Sequence, residues 1–163
     1  MKKYTCCFLG HRRILETPEL KNKIRQCIEK LILDYGVSVF LFGSKSEFTH
    51  LCYTVVTELK EIYPYIIRIY IRAEFPNISC SYREYLFLFY EDTYYPEKIK
   101  DSGSAVYVER NREMIDRSSF CVFYYNDLYN PNTGKSKKSG TALAYSYAKR
   151  KKLTVFNLFG DDI

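Results

Sequence analysis

Three short, nearly unbroken apolar runs restrict the fold more than any other feature of the chain. They are Tyr4–Leu9, Val37–Phe42 and Ile66–Ile71, and two stretches of helical period separate them. A strand with one face in water alternates apolar and polar residues, and these runs do not. Continuous runs mark strands covered on both faces, which occur in parallel sheets flanked by helices. The β-α-β-α-β order then calls for right-handed crossovers.

The helices carry their own boundary signals. Thr17-Pro18-Glu19 reads as an N-cap, a first-turn proline and an acidic first turn. Leu20, Ile24, Cys27, Ile28, Leu31 and Ile32 follow at helical spacing, and Gly36 supplies a stop. A second helix spans about 46–62, with Phe48, Leu51, Cys52, Val55, Val56 and Leu59 on one side and Pro64 beyond its end. Residues 73–104 break the rhythm. They hold two prolines and a tyrosine-rich stretch, 82–95, with a short helix expected near 82–89. So aromatic a segment is expected to pack over the sheet as an excursion, not to form a solvated linker. A helix over 105–117, a strand over 119–124, a loop over 126–138, a helix opening at Ser139-Gly140-Thr141 and a strand over 153–158 complete the pattern. The fold class is therefore α/β: a Rossmann-like three-layer sandwich, with a mainly parallel five-stranded sheet and helices on both faces. One domain is expected over 1–163.

Composition narrows the function. The net charge of +6 and the pI near 8.9 suit an anionic ligand but fall short of a dedicated nucleic-acid binder. Six cysteines lack metal-ligand spacing and lie mostly in apolar segments, so reduced, buried thiols in a cytoplasmic protein are expected, with no metal and no cofactor. No apolar stretch approaches the roughly 20 residues of a membrane span, and no signal peptide is legible.

In an open parallel sheet the loops after the strands share one edge, where ligands bind. On that edge fall Gly10-His11-Arg12, Gly43-Ser44, Arg72, and the loop leading to Ser139-Gly140-Thr141 with Lys135, Lys137 and Lys138. Glycines admit a close backbone approach, hydroxyls and first-turn N–H groups donate, and the cations add charge. This describes an acceptor for phosphate or another polyanion. GxGxxG, GxxxxGK[ST] and GxSxG are all missing, which disfavours a dinucleotide dehydrogenase, a P-loop ATPase and a serine hydrolase of the nucleophile-elbow type.

The blocks CCFLGHR, FLFGSKSEF, VERNREMIDRSSFCVFYY and KSGTALAYSYAKRKK resemble the SLOG superfamily, which includes DprA-type DNA-processing proteins and LOG-type enzymes. The similarity is greatest to the YpsA-like branch, a bacterial and phage-associated domain of unknown function. The resemblance implies a Rossmann-like fold and a pocket for nucleotides or nucleotide-derived signals. It matches Gly10, His11 and Arg12 to the first-strand turn and Gly43-Ser44 to the second. Glu109-Arg110-Asn111 with Met114 is similar to the LOG-type arginine motif, and Ser139-Gly140-Thr141 to the end of PGGxGTxxE. The glutamate of that motif, associated there with N-glycosidic cleavage of nucleoside monophosphates, is Ala144 here.

The expected function is thus binding or sensing of a nucleotide-like small molecule rather than catalysis. A phosphoribohydrolase and a DprA-like single-stranded DNA binder rank below it, with self-association left open. Arg110 and Asn111 have a plainer reading, as part of a solvated helix face ion-paired with Glu109, Arg112 and Glu113. The tyrosines at 82, 85, 90, 94 and 95 are expected to pack, and the run Lys149–Lys152 to be a cationic helix end.

Overall fold

Every periodic stretch folds as the spacing predicts. In the computed structural model, which describes residues 2–128 and 139–160, the elements run β1 (Thr5–Gly10), α1 (Pro18–Tyr35), β2 (Val39–Phe42), α2 (Glu47–Ile62), β3 (Ile67–Ile71), α3 (Cys80–Leu86), β4 (Asp92–Tyr94), α4 (Val106–Asp116), β5 (Phe120–Tyr124), α5 (Gly140–Arg150) and β6 (Thr154–Asn157). Thr17 caps α1 by accepting from the Leu20 amide at 3.1 Å. Gly36 closes it in the left-handed region, φ 70°, where glycine carries no steric penalty.

The strands form one sheet in the order β4-β3-β2-β1-β5-β6, and every neighbouring pair is parallel. Side chains alternate across it. Cys6, Phe8, Phe40 and Phe42 face the α1/α2 layer, where Ile24, Ile28, Phe48 and Val55 meet them. Cys7, Leu9, Leu41 and Phe123 face the α4/α5 layer, against Met114, Ile115, Ala144 and Ala148. Both faces are covered, which is why the central runs contain almost no polar residue. Five of the six cysteines are buried and Cys80 is exposed. Among the described residues, no helix is long and apolar enough to cross a membrane.

The sheet has six strands, one more than the sequence predicts. The addition, β4, pairs through Ile69, Tyr70 and Ile71 of β3 from inside the segment expected to be only an excursion. At three residues, half-buried and at the sheet edge, it needs no apolar run. The packing expected of that segment also holds only in part. Tyr90 stacks on Tyr70 at 5.3 Å, and Tyr94 is half-buried, but Tyr85, Phe87, Leu88 and Phe89 are exposed.

Strand order reverses between β1 and β5. The C-terminal edge is therefore open there, and the helices that follow β2 and β5 begin beside it.

Candidate functional site

A cleft of about 970 Å³ runs along this edge, and all eleven candidate residues line it. Gly10, His11 and Arg12 come from the end of β1, Gly43 and Ser44 from β2, Arg72 from β3, Arg110 and Asn111 from α4, and Ser139, Gly140 and Thr141 from the start of α5. Lys135, Lys137 and Lys138 lie outside the described residues.

The glycines have separate physical reasons. A Cβ on Gly10 would stand 2.4 Å from Cδ2 of the buried Phe48, so glycine there lets α2 close onto the sheet. A Cβ on Gly43 would stand 2.6 Å from both Arg110 Cδ and Met114 Sδ. That absence makes the channel through which Arg110 reaches the sheet edge. Both glycines thus serve packing against side chains, whereas a Cβ on Gly140 would meet nothing within 4 Å.

His11 is 2% exposed and ties β1 to the chain beyond β5. Its amide donates to Tyr124 O at 3.3 Å, and its Nε2 accepts from the Asn126 amide at 2.8 Å. A nitrogen accepting an N–H carries no proton, and burial lowers the imidazole pKa, so His11 is neutral. It positions the turn; the cationic turn residues are Arg12 and Arg13. Ser44 Oγ lies 3.0 Å from Thr49 Oγ1 and donates to Ser46 Oγ at 3.3 Å, in a hydroxyl cluster at the α2 N-terminus. Ser46 in turn accepts from the Thr49 amide, and Glu47 N–H donates to Arg12 O, so α2 satisfies much of its own first turn. Ser139 caps α5 by accepting from the Ala142 amide at 3.1 Å. Gly140 and Thr141, in the first turn of α5 where amides have no intrahelical acceptor, line the cleft.

The two arginines carry the electrostatics. Arg110 is 5% exposed: Nη1 donates to Gly43 O at 2.7 Å and lies 3.5 Å from Ile71 O, and Nε donates to Asn111 Oδ1. Arg72 is 6% exposed: Nε donates to Phe75 O at 3.1 Å and Nη1 to Thr93 Oγ1 at 3.0 Å. Every one of these acceptors is neutral. Among the described residues neither guanidinium has a carboxylate within ion-pair distance. Burial lowers both pKa values, and the charge of Arg83 adds to the effect on Arg72.

Arg68 provides an internal comparison, four residues before Arg72 at the other end of β3. It meets Glu91 through Nε to Oε1 at 3.0 Å and Nη2 to Oε2 at 2.7 Å, and those bonds raise its pKa. Among the described residues a counter-charge is built in for Arg68 and withheld from Arg72 and Arg110. Nor does Arg110 belong to a solvated, ion-paired helix face: Glu109 pairs with Arg112, while Glu113 pairs with Lys98 and Arg117.

Several lining residues escape a reading based on strand ends. Tyr70, Phe75, Tyr82 and Tyr107 also line the cleft, and the exposed Lys45 and Arg13 add cations. Tyr70 is detectable only once β3 is placed, since its ring stacks on Tyr90 while its lining surface faces the cleft. Phe75 has a left-handed φ of 59°, a conformation uncommon outside glycine, and presents its carbonyl to Arg72. The single carboxylate lining the cleft among the described residues is Glu74, which accepts a hydrogen bond from Tyr107 Oη. Ala144 is buried against the sheet, and Glu109 and Asp116 do not line the cleft.

No protein-family model matches the sequence, and no curated protein matches it. A solved structure does share the fold: DNA processing protein A from Helicobacter pylori, with a TM-score of 0.59 at 15% identity over 96% of this chain. The chain spans 65% of the length of that structure. The likeness is one of fold, Rossmann-like with a parallel sheet. That protein is described as binding single-stranded DNA.

Proposed function

We propose that the cleft binds a nucleotide or nucleotide-derived small molecule, as the resemblance to the YpsA-like branch of the SLOG superfamily implies. The observation that carries this reading is the pair of buried guanidiniums, Arg72 and Arg110, with no carboxylate in ion-pair distance among the described residues, in a cleft also lined by four aromatic residues. Burying an unpaired cation costs several kcal/mol, and a bound anion offsets that cost. Aromatic faces accept a planar base by stacking. Arg12, Arg72 and Arg110 supply charge; Asn111, Ser44 and the α5 amides supply polar contacts. Gly10, Gly43 and His11 hold the walls in place.

The reading assigns no catalysis. N-glycosidic cleavage needs an acid near the departing base and a means of activating water, and Glu74, already engaged by Tyr107, is the lone carboxylate candidate among the described residues. Ligand binding would instead be passed on through shape or self-association, in the cytoplasm.

Single-stranded DNA is the second reading, favoured by the fold neighbour and by the exposed cations Arg12, Arg13 and Lys45. Thermal stabilisation by nucleotides and by oligonucleotides, measured across a salt series, tests the pair. A nucleotide ligand gives a shift that Arg110→Met abolishes. An oligonucleotide ligand gives a steep salt dependence, and no response to either class would refute the binding proposal.

A further inference from the structure

We infer that the anion pole of this cleft lies at the end of β3, between Arg72 and Arg110, and that it selects a terminal phosphate monoester over a phosphodiester. The inference rests on the nucleotide reading above and adds where the phosphate sits and what charge it carries. Glycine turns at β1 and β2 are the expected phosphate seats in a fold of this kind, but here Gly10 is occupied by Phe48 and Gly43 by Arg110.

Both arginines line the one cleft, and both are anchored about the end of β3: Arg72 Nη1 donates to Thr93 Oγ1, on the β4 residue paired with Tyr70. Arg110 Nη1 lies 3.5 Å from the carbonyl of Ile71, the residue immediately before Arg72. Each guanidinium uses Nε and Nη1 on neutral acceptors, and no bond is made by either Nη2 among the described residues. Two donor groups on two lining arginines are thus available to the same occupant.

Charge fixes the class. Among the described residues, the other charged groups that act on the two guanidiniums are Glu74, Arg83 and Asp92, while Arg12, Arg13 and Lys45 stand farther along the cleft lining and are exposed. Glu74 is exposed, bonded to Tyr107 and beyond ion-pair distance of both guanidiniums, so solvent screens it. Asp92 is exposed and accepts from the Thr93 amide, and Arg83 adds positive charge. Arg72 and Arg110 therefore present two positive charges in a partly desolvated wall. A phosphodiester inside a nucleic-acid strand carries one negative charge, whereas a terminal phosphate carries nearly two at neutral pH. Only the second neutralises the pair, and its three terminal oxygens can accept from both Nη2 groups.

The test is calorimetric titration at pH 7.5 with the four ribonucleoside 5′-monophosphates, their methyl phosphodiesters and the parent nucleosides. The expected result is that at least one monophosphate binds and its methyl ester binds roughly tenfold or more weakly, the scale of one charge-assisted bond. Arg72→Gln and Arg110→Gln, each checked for a cooperative melt, should erase that difference by weakening the monophosphate to the level of its ester. Equal affinity of ester and monophosphate for the wild-type protein would overturn the inference while leaving the nucleotide reading intact. Failure of every mononucleotide, with or without binding of a single-stranded oligonucleotide, would overturn both.

Discussion

If Arg110 is held in the wall for a ligand rather than for the fold, removing its charge should cost the empty protein little. Arg110→Met keeps much of the side-chain volume and its place in the gap above Gly43. The substitution gives up the charge-assisted bond to Gly43 O, about 1.5–3 kcal/mol, and a contact with the Tyr107 ring at 6.0 Å, about 0.5–1 kcal/mol. It also removes an unpaired buried cation, a penalty of several kcal/mol that cleft water reduces. The two sides nearly cancel, so the expected change is within about 1 kcal/mol of zero, or about 2–4 °C in Tm for a chain of this size. Arg68→Met is the control. It abolishes a two-bond ion pair and leaves Glu91, whose side chain is 30% exposed, with the residue-68 amide and Lys60 at 3.8 Å, for an expected loss of about 2 kcal/mol or 4–8 °C. Differential scanning calorimetry without ligand measures both. If Arg110→Met destabilises as much as Arg68→Met, Arg110 is a structural strut, and the argument from withheld counter-charge fails.

Other consequences follow from the same contacts. Gly10→Ala should destabilise by about 1–3 kcal/mol in urea unfolding, because its Cβ would overlap Phe48, whereas Gly140→Ala should leave the midpoint almost unchanged. Ser139→Ala removes the α5 cap and should cost about 1 kcal/mol in the same assay. His11 has a pKa lowered by burial, so the stability tied to its neutral form is complete above its unfolded pKa of about 6.5 and declines as pH falls toward the folded value, by up to about 1.4 kcal/mol per pH unit. Urea midpoints of wild type and His11→Asn should accordingly converge between pH 7 and pH 5; parallel curves would show that His11 does not titrate with folding. Glu74→Gln should change nucleotide affinity by about threefold or less in calorimetry, since the one negative charge lining the cleft among the described residues is exposed and screened.

The layered fold was legible because both faces of the central strands are covered, leaving runs such as Val37–Phe42 nearly free of polar residues. β4 was not, since an edge strand of Asp92, Thr93 and Tyr94 has no apolar face to declare it. The cleft residues were legible as strand-end chemistry, but their physical roles were not. Nothing in the sequence says that Gly10 yields to Phe48, or that Gly43 yields to Arg110, because those neighbours lie far along the chain. Nor does spacing distinguish Arg68 from Arg72. The first meets Glu91 across the β3 end and the second does not, and only the turn after α3 decides it. Of the aromatic residues lining the cleft, only Phe75 and Tyr82 lie in the segment expected to pack; Tyr70 comes from β3 and Tyr107 from α4, whose side chains are placed at the cleft only by the fold.

The central claim is that Arg72 and Arg110 await an anion of the nucleotide class. Calorimetric titration of nucleoside mono- and diphosphates into wild type and Arg110→Met, at matched ionic strength, tests it most directly. The account predicts saturable binding of at least one nucleotide by the wild type and its loss in a variant that melts at nearly the same temperature. Equal binding by the two proteins, or none by the wild type up to millimolar nucleotide, would contradict it.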